Sequence, residues 1–583
     1  MLHSKNIGIM KLRNILQIIV ITSAVLLGSC QDALDTKPLD KFSGDLVWAD
    51  AVTARSFVND AYSINNRLIQ DDEWSDNMVL NPSQGAASNM VQENITNETG
   101  FGWNIFEDIR KCNMIIERVT NSSYLESDKN VMLGEAYFLR AVTNFTAARK
   151  FGKIMIVDKV LTPQDDLNLS RTATIKETYD FILKDLDQAA NLLPANVSKG
   201  RVSKGAAYAL KAEACLQGAA YLENNSDKAG YYQQGKKASE DLFALGTYAL
   251  DNDYKSMFNT YSGGMNSPEI ILASYRLETN TQMMNTWMQN LTPNMGGDKA
   301  KEGVLEKWPL DKPLEGWLEK TPSQEATDAY LVIDSDGNAK HWSETSYYQS
   351  FEPGKSSVFN VLYTNRDKRF HANIVCDSTM YFTSLITTRL GGNVNYASNV
   401  QQDRHMTKSG YLFRKNIYED KWLYYNVPTN YHYVMLRLGR SYLNYAELLL
   451  RMNGEGSKAT AIDYINKTRV THGGLPALSP STSLADTWKY YKIERRADLL
   501  QENDRYWSLL RWGKEEGLDV IPELDSTPKA ISISEDGKSF EIITVPVVAG
   551  ANARRFTSKR YLLPVPRTET VENPNLTQNP GWE

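Results

Sequence analysis

The chain has 583 residues, of which 42% are hydrophobic, 23% charged and 10% aromatic, a globular composition with ample apolar material for a large core. Its formal charge is −6 and it has no long run of Lys or Arg, which excludes nucleic-acid binding built on phosphate neutralisation. Length alone, at about 150 residues per domain, suggests three or four domains.

The first 13 residues are basic, and 15–27 (ILQIIVITSAVLL) form an apolar run too short for a comfortable membrane span, which needs about 20 residues. Small residues Gly28 and Ser29 then lead into Cys30, so 1–29 read as a secretory leader. Leu27-Gly28-Ser29-Cys30 fits a bacterial lipobox, making Cys30 the lipid-modified first residue of the mature protein. Loss of Lys5, Lys11 and Arg13 with the leader takes the formal charge from −6 to −9. Several acyl chains on one residue suffice for stable anchoring, and no later stretch has the length and apolarity of a membrane span. Residues 30–48 are polar with Pro and Gly, as in a solvated tether. Cys112, Cys215 and Cys376 remain; they make no disulfide framework or metal-ligand spacing, and Cys112 and Cys215 fall in helical patterns as small core residues. A single disulfide stays open.

From about 49 to 260 the apolar spacing is helical. Residues 131–151 carry apolar side chains three and four apart with Arg140, Arg149 and Lys150 towards the end, as the helix dipole favours. A helix over 177–193 stops at Pro194, and an Ala-rich helix follows over 203–221. Two helices of about 17 residues joined by a short turn are the unit of a tetratricopeptide-like array. A similar pair is expected at 434–452 and 457–470, and one more amphipathic helix at about 487–512.

Between these blocks, 261–430 has poor periodicity and much Gly, Asn, Pro and Ser, but too many aromatics for disorder. No Trp occurs between Trp103 and Trp287; then come Trp287, Trp308, Trp317 and Trp342, followed by Tyr347 and Tyr348. Loops dense in Trp on a rigid frame suit a binding surface.

Eight segments in order resemble the SusD/RagB family of nutrient-binding outer-membrane lipoproteins. After the lipobox come FEDIRKCNMIIERV (106–119), GEAYFLRAVTNFTAARKFGKIMIV (134–157), TPSQEATDAY with DSDG (321–337), RDKRF (366–370), GYLFRKN (410–416), LRLGRSYLNYAELLLRMNG (436–454), IERRADLLQENDRYWSLLRWG (493–513) and LLPVPRTETVENPNLTQNPGW (562–582). The resemblance implies a mostly α fold: a tetratricopeptide-like helical-repeat superhelix with a loop-rich ligand-binding region packed on it. It also overrules the length-based count. After the leader (1–29) and the lipidated tether (30–48), residues 49–583 make one SusD-like domain, with helical repeats in 49–260, the loop-rich binding region in 261–430, and C-terminal helices with a closing segment in 431–583.

Motifs for bond-breaking chemistry do not stand out. No pair of carboxylates is marked as a glycosidase dyad, which would sit about 5 Å or 6.5–9.5 Å apart. The six His are scattered, Gly354-Lys355-Ser356 lacks the upstream glycine of a phosphate loop, and no G-x-S-x-G occurs. Asp334-x-Asp336-Gly337 misplaces the glycine of a calcium loop and reads as a β-turn. Arg495, Arg496, Glu502, Asp504, Arg505 and Arg511 read as an ion-pair cluster, with a phosphate or sulfate site as the alternative.

A sugar ring offers a C–H face to an aromatic plane and a hydroxyl rim to polar side chains. Candidate ligand residues are Trp74, Asp76 and Asn77 in the polar loop 71–100, then Trp287, Trp308, Trp317, Trp342 and Tyr347. The resemblance implies a non-enzymatic, glycan-binding lipoprotein facing outward on the cell outer membrane. Its lipid would be its only membrane contact, and it would serve a SusC-like TonB-dependent transporter, with no cofactor, metal or nucleic acid. The alternatives are a peptide-binding, RagB-type lid on the same kind of transporter, and a surface glycoside hydrolase.

Overall fold

The computed structural model describes residues 44–70, 72–81, 88–280, 286–294, 316–395, 406–420, 428–545 and 552–583; the leader, Cys30 and the tether up to residue 43 lie outside them. Helices α1 (Ala51–Ala61), α2 (Phe106–Thr120), α3 (Glu126–Phe151), α4 (Ile175–Leu192), α5 (Lys204–Ala219) and α6 (Asn225–Ala244) form the frame. From α2 onward each packs on the next, and α1 lies on α3. Their ends follow from local chemistry. The Thr174 hydroxyl accepts the Glu177 N–H at 3.1 Å and caps α4, while Leu193, placed before Pro194, is extended and stops it. Ser203 caps α5 by accepting the Ala206 N–H at 3.1 Å.

Small residues set how closely these helices approach. The buried face of α5 carries Ala206, Ala207, Ala209, Ala212 and Ala214. A Cβ on Gly218 would stand 2.7 Å from the Tyr179 ring of α4 and 3.0 Å from Tyr231 of α6, so only glycine admits both neighbours. Cys112, Cys215 and Cys376 are free and buried, with burial pushing the Cys215 and Cys376 thiols up to about 12. The fold is the mostly α, tetratricopeptide-like arrangement expected.

The C-terminal helices, which complete the frame, depart from the expected boundaries in two places. Residues 434–437, expected as helix, belong to a strand: β2 (Ile270–Arg276) pairs antiparallel with β4 (Tyr431–Arg437), aligning Val434 with Ala273. Helix α7 (Leu438–Thr471) follows, packs on α5 and α6, and breaks at Asn453 and Gly454, where Gly454 has φ 29°. The helix expected over 487–512 is two helices, α8 (Leu484–Asp498) and α9 (Arg505–Glu516). Gln501 (φ 61°) and Asn503 (φ 54°) turn the chain between them, and this turn delivers Glu502 and Asp504 to buried cations.

Over the frame lies the loop-rich region, built from two-stranded ribbons and short helices around its own aromatic core of Tyr330, Tyr363, Phe370, Tyr411, Tyr418 and Tyr431. Buried charge fastens it to the frame. Arg437, at the end of β4, reaches Glu269 (2.7 Å), Asp498 (2.6 Å) and Glu502 (2.8 Å). Arg369 reaches Asp367 (2.7 Å), Glu494 (2.5 Å) and Asp498 (3.0 Å). Lys415 lies 2.6 Å from Glu502, and His472 bridges Glu269 (2.9 Å) and Asp498 (2.8 Å). Five carboxylates thus face Arg369, Arg437 and Lys415, and a protonated His472 supplies a fourth positive charge. Burial alone would lower His472, but Glu269 and Asp498 outweigh it and hold the imidazole at about 9.

A histidine raised in the folded state stabilises fully below its unfolded pKa of about 6.5 and loses that contribution as pH rises through the folded value. Lys415, lowered to about 8 by burial, titrates with the opposite sign, so comparison with a variant isolates His472. In urea unfolding, His472→Gln should lose stability on the order of 3 kcal/mol at pH 6, and the gap to wild type should close as pH passes about 9. A gap independent of pH would show that His472 carries no charge in the fold.

Candidate functional site

The polar loop and the Trp-bearing stretch, more than 200 residues apart in sequence, are joined by backbone. Strand β1 (Met78–Leu80) pairs antiparallel with β3 (Lys320–Pro322), aligning Val79 with Thr321. Outside the ribbon, the Asn81 N–H donates to Glu319 O at 2.7 Å and the Ser323 N–H to Asn77 O at 3.0 Å. Lys320 lies 2.5 Å from Glu73. Just before β3, residues 317–319 fold back on the short helix Thr286–Leu291: the Trp317 N–H donates to Gln289 O (2.6 Å), Leu318 to Thr292 O (3.0 Å) and Glu319 to Asn290 O (2.7 Å). A Cβ on Gly316 would lie 2.0 Å from Thr292 O, so this close approach requires glycine. Leu318 is buried in the left-handed region at φ 40°, a conformation that a β-carbon disfavours. The turn therefore presents Trp317, which is half-buried, from a tightly constrained backbone.

Trp287 is on that same short helix, half-buried and edge-on to Tyr433 of β4 at 5.5 Å. Arg276 of β2 lies over the Tyr433 ring at 5.5 Å. Trp308 lies outside the described residues. Tyr433 and Arg276 had no signal in sequence, because only the β2–β4 ladder brings them beside Trp287.

Trp74, Asp76 and Asn77 come together on the frame side of β1. Trp74 is half-buried, edge-on to Tyr506 at 5.5 Å and to Phe101 at 6.3 Å. The Asp76 carboxylate meets Arg505 at 2.8 Å and Arg496 at 2.9 Å, and Asn77 accepts from Arg496 at 2.8 Å while donating to Asp72 at 2.8 Å. Burial would raise Asp76, but Arg496 and Arg505 outweigh it and hold the carboxyl well below the usual carboxylate range. The polar atoms of both residues are thus engaged inside the protein. The remaining arginines of the cluster are also paired: Arg495 with Asp504 (2.6 Å) and Arg511 with Glu447 (2.8 Å), in keeping with the ion-pair reading.

Trp342 and Tyr347 lie further along the chain, past the short helix Gln324–Asp328 and the ribbon of Val332–Ile333 with Ala339–Lys340. Trp342 is 8% exposed; its indole N–H donates to Asp328 at 2.8 Å, and its ring meets Tyr348 (5.0 Å) and Phe540 (5.7 Å) edge-on. Tyr347 is half-buried, with its hydroxyl 3.3 Å from the Asn365 amide, whereas Tyr348 is exposed. Beside them, Lys340 lies 2.6 Å from Asp334 and 2.7 Å from Asp336, and the Gly337 N–H closes a turn on Asp334 O at 2.9 Å. An ammonium between two carboxylates in a tight turn fits the β-turn reading. Among the described residues, no group of three or more His, Cys, Asp or Glu is placed to hold a metal ion, and no helix is long and apolar enough to cross a membrane.

Comparison with known proteins agrees along the chain. A sequence model of the SusD family matches residues 268–582, and one described as starch-binding associating with outer membrane matches 39–216. A SusD-like protein of Formosa agariphila is 22% identical over 537 residues, 86% of this chain and 92% of that protein. A crystal structure of a SusD-like protein from Bacteroides fragilis superposes with TM-score 0.72 at 26% identity, covering 94% of this chain and all of the other. A solved laminarin-binding SusD-like protein gives TM-score 0.62 at 18% identity, covering 91% of this chain and 99% of that one.

Removing the Asp76 charge leaves Arg496 and Arg505 buried without their shared carboxylate. Asp76→Asn should cost about 3 kcal/mol in denaturant unfolding, the usual scale for breaking one side of a buried pair. A loss below about 1 kcal/mol would mean that the loop is not held through this carboxylate.

Proposed function

The chain belongs to the SusD family, and from that premise we propose that it is a cell-surface lipoprotein that binds glycan and hands it to a SusC-like TonB-dependent transporter. Residues 1–29 act as the leader, Cys30 carries the lipid, 30–48 form the tether and 49–583 work as one domain. The observation that carries the reading is the splice of β1 to β3, which holds half-buried Trp317 and the helix that bears half-buried Trp287 on constrained backbone. An aromatic plane fixed in this way stacks on the C–H face of a sugar with little loss of side-chain entropy.

In this scheme Trp287 and Trp317, with Trp308 from the same stretch, contact the ring faces. Trp342 and Tyr347, backed by exposed Tyr348, form a second aromatic edge. Trp74, Asp76 and Asn77 serve the site by fixing the loop that leads into β1. Affinity comes from stacking and from hydrogen bonds to the hydroxyl rim, and no bond of the glycan is broken. Ion pairs between the helical and loop-rich parts, such as Arg369 with Glu494 and Lys415 with Glu502, support their acting as one rigid body.

Purified protein lacking the leader, titrated with a panel of oligosaccharides and peptides, tests the reading. A glycan should bind, and Trp317→Ala or Trp287→Ala should weaken it roughly tenfold each, equivalent to about 1.4 kcal/mol. Binding of peptides alone would replace glycan with peptide as cargo, and release of reducing ends from polysaccharide would make the protein a hydrolase.

A further inference from the structure

The described arginines of 261–430 mostly direct their charge inward. Arg369 meets Asp367 at 2.7 Å, Arg389 meets Asp377 at 2.6 Å, Arg414 meets Glu419 at 2.9 Å, and Arg366 donates to Tyr330 O at 2.6 Å. Arg276, at the outer end of β2, is the exception. Its side chain is exposed, it pairs with no described carboxylate, and its guanidinium lies over the face of Tyr433, 5.5 Å from the ring centroid. Glu278, two residues on, is exposed and forms no ion pair with it. The ladder explains the placement: Tyr433 is aligned with Ser274, so Arg276 is its diagonal neighbour on the same face, within reach of a long side chain. Stacking on the ring leaves the planar fork of N–H donors open at its edge, and the order it imposes reduces the entropy lost when the fork is occupied. Tyr433 also meets Trp287 at 5.5 Å, so the exposed guanidinium and the indole, each 5.5 Å from one ring, are at most 11 Å apart. Two adjoining sugar residues span that gap.

We propose that the cargo is an anionic glycan, with Arg276 taking a carboxylate or sulfate group on a sugar stacked at or beside Trp287. This rests on the glycan reading above and adds the class of glycan to it. Two oxygens of a carboxylate or sulfate match two N–H groups of a guanidinium, and such charge-assisted contacts are about twice as strong as neutral ones. A neutral chain laid across Trp287 and Arg276 would strip water from the cation and return no charge to it. The protein as a whole is acidic, with formal charge −6, so its long-range field repels a polyanion and recognition depends on this local contact. That favours a glycan with spaced anionic groups over a densely charged one.

Purified protein lacking the leader is titrated with neutral, uronate-bearing and sulfated oligosaccharides, each charged member paired with its methyl-esterified or desulfated form. A charged member should bind wild type roughly tenfold more tightly than its uncharged pair. Arg276→Gln, at an exposed position that the fold does not depend on, should bind the two forms alike. Arg276→Lys should keep part of the preference, and added salt should shrink it. The pair that responds, uronate or sulfate, identifies the anion. Binding of neutral glycans only, equal binding of both forms by wild type, or a charge preference that survives Arg276→Gln overturns the proposal while leaving glycan capture intact. Binding of no glycan overturns both.

Discussion

The Arg437 side chain has no exposed surface, and three carboxylates from two distant parts of the chain converge on it. Glu269 precedes β2, Asp498 ends α8, and Glu502 sits in the turn before α9. Taking such groups out of water costs several kcal/mol per ion, recovered only if the geometry is met and the remaining lone pairs find donors. Here they do: His472 fills the gap between Glu269 and Asp498, Lys415 takes the free side of Glu502, and Arg369 extends the network to Glu494 and Asp367. The net stabilisation of such a cluster over an apolar one is small. Its consequence is uniqueness, because any shift of the loop-rich region strands a buried charge.

That constraint explains how irregular segments display aromatic rings. The stretches around Trp287 and Trp317 have little regular structure, yet each is fixed: the first by its short helix against β4, the second by three backbone hydrogen bonds and the Gly316 approach. Through β1 and β3 they share the polar loop that Arg496 and Arg505 hold from the frame. The stiffness of these segments is therefore borrowed in part from α8 and α9, which reach them through the polar loop.

The sequence disclosed whatever depends on local periodicity. The frame helices fall close to their expected bounds because capping residues and Pro194 act within a turn of the helix ends. Partnership over long separations was not legible. Asp76 and Asn77 read as ligand groups because polarity shows in a sequence and a partner does not: Arg505 lies 429 residues further on. Residues 434–437 continue a helical apolar pattern, but the β2 edge captures them as strand. The helix expected over 487–512 gives way to Gln501 and Asn503 because Glu502 and Asp504 are needed by buried cations. Among the aromatic residues, spacing showed the clustering but not the depth of each: Trp342 is nearly closed off, while Tyr348 beside it reaches solvent.

Native-state hydrogen exchange tests the coupling of loop region to frame most directly. If the buried charges make one body of the two, the amides of β4, of residues 366–375 and of the last turns of α8 will open in a single cooperative step, with one free energy and one denaturant dependence. Exchange of β4 and 366–375 at markedly lower free energy, while α7 and α8 stay protected, would contradict a rigid display and leave the aromatic segments riding on an independently mobile layer.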